Sequence, residues 1–288
     1  MNILFTGRGG AGSWTIRGEQ LARAMGSNAV PLGNSTPLSP LSQRAISDAD
    51  IVIAVKKVPP LLLQQLRQQR KTWVFDVVDF YPQPACTVWS RNEAIAWVKA
   101  QIAALQPTAV VWPNQCMMSD CSDGRPGFVL YHHHRPGLQP ISVAPTMRTL
   151  AYEGAAAYLG KWSNVLRDVC KARDIVFEVN PRSLCMADAV VAMRDEPYCG
   201  YVQSHWKSNV KLANAHAIGA TFIGQPECGY KETAAGAELW VRTKDDVHDA
   251  LLVAASAQFR QTMQAKAVTK TYSVDQAAKD LRGFLHGL

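Results

Sequence analysis

Short apolar runs alternate with amphipathic segments along almost the whole chain. In the first half the runs of strand length are 2–6 (NILFT), 50–55 (DIVIAV), 72–78 (TWVFDVV) and 108–112 (TAVVW), with a second strand expected at Asn28–Asn34. Helical spacing is found near 15–25, 60–70 and 91–105. Strands that alternate with helices predict a parallel sheet covered on both faces. Near 124–145 the pattern breaks into GRPG, HHHRPGLQP and ISVAP, a concentration of Gly and Pro that reads as an interdomain crossing. It then restarts, with strand-like runs at 148–152, 175–179, 189–193, 220–223 and 238–242, and helical patterns at 158–172, 207–218, 245–265 and 274–286. The expectation is an α/β chain of two Rossmann-like domains with parallel sheets facing a central cleft, where a ligand would sit. Their expected spans are 1–145 and 146–288, the terminal helices belonging to the second.

Composition narrows the class. With 48% hydrophobic and 18% charged residues over 288 positions, a wholly disordered chain is excluded. No apolar stretch reaches the roughly 18 residues that span a bilayer. The N-terminal run is too short for a secretory leader, and the seven cysteines form no C-x-x-C pair, so reduced thiols and a cytoplasmic location are expected.

The net charge of +7 is unevenly placed. Residues 1–145 hold 13 Lys/Arg and 8 Asp/Glu, whereas the remainder holds 17 and 15. An acidic partner is therefore expected on the first domain. Lys56, Lys57, Arg67, Arg70 and Lys71 concentrate in the tract VKKVPPLLLQQLRQQRK. The tract admits three readings: a solvated helix, a peripheral contact with an anionic membrane, or a footprint on the phosphates of DNA.

Gly7-Arg8-Gly9-Gly10-Ala11-Gly12 follows the first strand, precedes a helix and matches G-x-G-x-x-G. A dinucleotide site of an NAD(P)-dependent oxidoreductase would also need an acidic residue about 20 positions on, and the second strand carries none. The alternatives are a turn that packs the helix on the sheet, and a loop in which Gly9, Gly10, Gly12 and Ser13 hold an acceptor or a donor's phosphates.

The stretch 207–232, KSNVKLANAHAIGATFIGQPECGYKE, is the most informative. A helix is expected to start near Lys207, capped by Ser208 or Asn209. Lys207 and Lys211 would share one face at i,i+4, where a diphosphate could sit, and Asn214 lies within reach of a ribose. Gly219 would end the helix, Ala-Thr-Phe-Ile223 would form a strand, and Gly229-Tyr230-Lys-Glu232 would open the next loop. In this order the chain resembles the two-domain GT-B glycosyltransferases, with Asn214 where many members have a ribose-binding Glu. Leu150-Ala-Tyr-Glu-Gly154 resembles the first strand and loop of their donor domain, and Met193-Arg194-Asp195 the place where they contact the nucleotide.

The resemblance implies transfer of a sugar from a nucleotide-sugar, UDP-sugar favoured, to a hydroxyl. Hydroxymethylated pyrimidines in DNA and membrane-linked glycans are the acceptors considered. Donor contacts would come from Gly9, Gly10, Gly12, Ser13, Arg194, Lys207, Ser208, Asn209, Lys211, Asn214, Tyr230 and Glu232. Acceptor contacts would come from Lys56, Lys57, Arg67, Arg70 and Lys71. A general base is sought at strand ends, with Asp79 first and Asp120 behind it, and His133 of the triple-histidine run is a second catalytic candidate. Asp76 reads as a structural or paired carboxylate. No cofactor beyond the donor and no divalent metal is called for, and neither a G-x-S-x-G elbow nor a Walker A motif is present.

Overall fold

The computed structural model describes residues 1–33, 37–82, 85–196 and 198–288, so Asn34 of the expected second strand lies outside the described residues. The chain forms two compact units. The first comprises Met1–His132, Trp206–Ser208 and Ser273–Leu288, and the second His133–His205 and Asn209–Tyr272. The crossing thus falls at His132–His133, ahead of the expected 145, and the last helix returns to the first unit.

In the first unit β1 (Ile3–Arg8), β2 (Asn28–Leu32), β3 (Ile51–Val55), β4 (Thr72–Asp76), β5 (Ala109–Trp112) and β6 (Gly127–Val129) make one parallel sheet in the order β2-β1-β3-β4-β5-β6. The inner strands β1, β3, β4 and β5 are buried on both faces, every residue of β3 and β5 included, while the edge strands β2 and β6 are partly exposed. Gly7 is needed for this packing, because a Cβ there would lie 2.6 Å from the Val55 carbonyl oxygen. Helices fill Pro40–Asp48, Pro60–Gln68, Arg91–Leu105 and Gln115–Cys121. The third is fixed by a capping box, Ser90 with Glu93.

The helix after the glycine loop is irregular. An α-turn at Gly12–Trp14 and another at Leu21–Ala24 flank a π-helical stretch, Thr15–Gln20. That stretch delivers the fully buried Arg17 onto Asp76 as a two-pronged pair, at 2.8 and 3.0 Å, and onto the Leu130 carbonyl at 2.7 Å. Asp76 is therefore the paired structural carboxylate that the sequence suggested. The terminal helix Val274–Leu285 packs on Leu21–Ala24, with Phe284 stacked on Phe128 at 5.1 Å and Arg282 donating to the Met25 carbonyl.

In the second unit β7 (Thr149–Tyr152), β8 (Val176–Val179), β9 (Ala189–Ala192), β10 (Thr221–Gly224) and β11 (Leu239–Trp240) form a parallel sheet in the order β11-β10-β9-β7-β8. Alternate residues serve its two faces. Leu150, Val191 and Ile223 pack with Leu166 and Leu251, whereas Ala151, Val190 and Phe222 pack with Leu212, Ile218 and Tyr230. The expected helix at 245–265 is two, Lys244–Ala254 and Ala257–Val268, because Ser256 caps the second. No helix among the described residues is long and apolar enough to cross a membrane.

Candidate functional sites

In the first unit the carboxyl ends of β1, β3 and β4 bring the glycine loop, Lys56 and Asp79 to one end of the sheet, which is where open α/β sheets bind ligands. Two residues there hold backbone conformations that are costly for them. Lys56 (φ 61°) follows β3, and the β-branched Val78 (φ 50°) precedes Asp79. The Lys56 N–H donates to the Asp76 carbonyl at 2.8 Å, and its ammonium lies 2.6 Å from Asp79.

The other Asp79 oxygen accepts from Lys207 at 3.2 Å. Trp206–Ser208 belongs to this unit, and further groups besides Asp79 hold it. Trp206 Nε1 donates to Asp120 at 2.9 Å, Asn114 donates to the Lys207 carbonyl at 3.0 Å, and the Lys207 ammonium lies 5.6 Å from the Tyr81 ring centre. Burial raises the Asp79 pKa, but Lys207 and Lys56 outweigh it and bring it to about 2. A carboxylate that acidic is a weak proton acceptor at neutral pH, so the expected base is an anchor for two lysines. Asp120, paired with Arg91 and Trp206, is structural as well. His133 is 1% exposed and lines none of the cavities described below.

Beside this anchor a cavity of about 200 Å³ is lined by Arg8, Gly9, Gly10, Ala11, Ser13, Trp14, Lys56 and Lys57. Gly9 is demanded by packing, since its Cβ would lie 2.8 Å from the Pro31 Cβ, and Gly10 by its φ of 77°. Gly12 has neither constraint and opens the helix.

The basic tract does not form one surface. Lys56 and Lys57 follow β3 at the carboxyl end of the sheet, while Arg70 and Lys71 precede β4 at its amino end. The intervening helix Pro60–Gln68 runs back along the sheet for about 13 Å at ~1.5 Å per residue. Arg67 donates to the Ala104 carbonyl and Lys71 to those of Ser47 and Ala49. Leu62 and Leu66 are buried, so Gln and Arg make up most of the outward face. The five cations expected to share an acceptor thus part into two groups.

In the second unit the loop after β7 is pinned. Asn180 accepts from the Gly154 N–H at 2.8 Å and donates to its carbonyl at 2.9 Å. Lys211, 9% exposed in the first turn of the helix Val210–Ile218, sits 4.0 Å from the Tyr152 ring centre. Gly154, whose φ of 134° favours glycine, lies against this cation, since a Cβ there would be 3.5 Å from the Lys211 ammonium. Asn209 takes the N-cap position but its side chain does not cap the helix. The helix starts at Val210, not Lys207, so the expected i,i+4 lysine pair does not exist, and Lys207 and Ser208 belong to the first unit. Asn214 is engaged by protein groups, accepting from Arg135 N at 2.8 Å and donating to Glu153 at 2.9 Å, with Arg135 also paired to Glu153.

A further cavity, about 260 Å³, lies at the ends of β9 and β10 and is lined by Arg194, Gln203, Gln225, Glu227 and Arg242 among others. Arg194 donates to Glu227 at 2.8 Å and to the Tyr230 phenol. Tyr230 is 1% exposed, and burial first, then Glu227, pushes its pKa well above the usual value. It is a core residue and not the donor contact expected of it, whereas Glu232 is exposed. Glu227 and Arg17, which the sequence reading missed, carry no local motif.

No family model and no curated protein sequence matches the chain. Solved structures do. HepE of Anabaena, crystallised with UDP and glucose, is similar over 100% of both chains at a TM-score of 0.68 and 13% identity. AviGT4, a glycosyltransferase of avilamycin A biosynthesis, is similar over 99% of this chain and 97% of its own, at 0.58 and 10%. The UDP-GlcNAc 2-epimerase of Neisseria meningitidis, bound to UDP-GlcNAc, covers 100% of both at 0.56 and 8%. The chain therefore has the GT-B-like fold that its 207–232 signature suggested.

Proposed function

We propose that the protein is a glycosyltransferase that uses a UDP-sugar donor. The observation that carries this reading is the Lys211 ammonium, almost buried at the first turn of a nine-residue helix, over the Tyr152 ring and beside Gly154 of the loop after β7. A fixed cation beside helical N–H groups stabilises the charge that grows on a leaving diphosphate. The full-length likeness to HepE, solved with UDP and glucose, agrees with it.

In the reaction the bond between the sugar's anomeric carbon and the β-phosphate oxygen breaks, and its electron pair leaves with UDP. A new bond forms from that carbon to the acceptor oxygen, and the acceptor's hydroxyl proton is released. Asp79 positions Lys56 and Lys207 and does not take that proton. An NAD(P) enzyme is disfavoured because β2, Asn28–Leu32, offers no carboxylate to a ribose.

Calorimetric titration of the full chain with UDP tests the donor assignment. Wild type is expected to bind, and Lys211→Met to bind 10- to 100-fold more weakly, the ~1.5–3 kcal/mol of a charged hydrogen bond. Absence of UDP binding, or equal affinity in the variant, overturns the assignment.

A further inference from the structure

From the glycine-loop cavity we infer that the acceptor carries a phosphomonoester, bound by Arg8, Lys57, Ser13 and the N–H groups of Gly10 and Ala11. This rests on the transferase reading for the word acceptor, but the site itself stands on its own geometry.

Five groups that line the cavity point to an anion. Arg8 and Lys57 are exposed cations whose side chains have no hydrogen-bond or ion-pair partner among the described residues, unlike Lys56, which is committed to Asp79. The N–H groups of Gly10 and Ala11 and the Ser13 hydroxyl also make no hydrogen bond there. Successive unpaired backbone N–H groups form an anion-binding concavity, and two unpaired cations match the two charges of a phosphomonoester. The nearby carboxylate, Asp79, is already countered by Lys56 and Lys207. The Glu19 carboxylate accepts from Trp14 Nε1 at 2.9 Å.

Size and shape decide among anions. At about 200 Å³ the cavity is smaller than the roughly 300–1,000 Å³ of pockets that enclose a whole drug-sized ligand, so it takes one compact group and not a dinucleotide. A polyanion would need a run of cations along one surface, and the split of the 56–71 tract between the two ends of the sheet removes it. The ligand is therefore a small phosphorylated hydroxyl compound, with the sugar phosphates as the simplest members.

The test compares wild type with Arg8→Gln/Lys57→Gln, two exposed positions. Calorimetry is run with inorganic phosphate, glucose 6-phosphate, glucose and UDP, and co-sedimentation with phosphatidic acid vesicles and duplex DNA. The expected result is that glucose 6-phosphate binds, glucose does not, and the double variant loses at least tenfold in affinity for phosphate and glucose 6-phosphate while keeping that for UDP. Unchanged phosphate affinity in the variant overturns the site. So does binding of vesicles or DNA with none of soluble phosphate. Competition between inorganic phosphate and UDP at Arg8 and Lys57 would make this a donor site and overturn the acceptor assignment. If glucose 6-phosphate binding depends on Arg8 and Lys57 while UDP fails to bind, the anion site stands and the transferase reading falls.

Discussion

Asp79 lies 3.2 Å from the ammonium of Lys207, a residue 128 positions further along the chain. The contact ties a short segment from the far side of the sequence to the strand ends that carry the glycine loop. It also fixes what both residues can do. Asp79 is held ionised, and Lys207 is part of the first unit's scaffold.

The depressed Asp79 pKa makes a statement about acid stability. A carboxylate whose folded pKa is lowered from 3.8 to about 2 contributes stability that is complete above the unfolded value and lost as pH falls through about 2. The contribution is about 2 kcal/mol at neutral pH. Asp79→Asn is expected to lower urea stability by that amount at pH 7, and the gap to wild type should close between about pH 4 and pH 2. A gap independent of pH would contradict the double ion pair.

The Arg17–Asp76 pair is expected to be the most sensitive polar contact in the first unit. Both side chains are at most 2% exposed, and Asp76→Ala leaves a buried guanidinium with only carbonyl partners. The expected cost is about 3–5 kcal/mol, seen in chemical denaturation. A loss below about 1 kcal/mol, the range of an exposed pair, would contradict this.

Tyr230 separates core from donor contact. Tyr230→Phe keeps the ring against Phe222 and removes only the hydroxyl that accepts from Arg194. Stability should fall by about 1 kcal/mol, and UDP affinity should stay at the wild-type value. Loss of UDP affinity in this variant would restore Tyr230 to the donor site.

The competing cofactor is tested by thermal shift. UDP is expected to raise the melting temperature, and NADPH to leave it unchanged, since the ligand-stabilised fraction grows only with binding to the folded state. Stabilisation by NADPH alone would contradict the reading of the glycine loop.

Most strands were legible because their apolar runs are buried on both faces, as in Ile51–Val55 and Ala189–Ala192. β6 escaped because it is three residues, GFV, inside a Gly/Pro-rich stretch. The helix Pro40–Asp48 escaped because only Ser42 and Ile46 of it are buried and Leu41 is 81% exposed. The start of the helix at Val210 was misjudged, and with it the lysine pair, because the position depends on Trp206 and Lys207 being held by Asp120, Asn114 and Asp79 far away in sequence. For the same reason neither Arg17 nor the return of the terminal helix to the first unit could be read. Both are choices of tertiary partner that leave the local pattern unchanged. The glycine loop stood out in the sequence because it directly follows the strand Ile3–Arg8, and Arg194 because it closely follows the strand Ala189–Ala192.

The most direct measurement is release of UDP from UDP-glucose and UDP-N-acetylglucosamine by the full chain, with glucose 6-phosphate offered as acceptor. The account predicts UDP release that depends on the acceptor, yields a glycosylated product by mass spectrometry, and falls at least tenfold in Lys211→Met. Acceptor-independent conversion of the UDP-sugar to its epimer, or no turnover of either UDP-sugar by a protein that binds UDP, would contradict it.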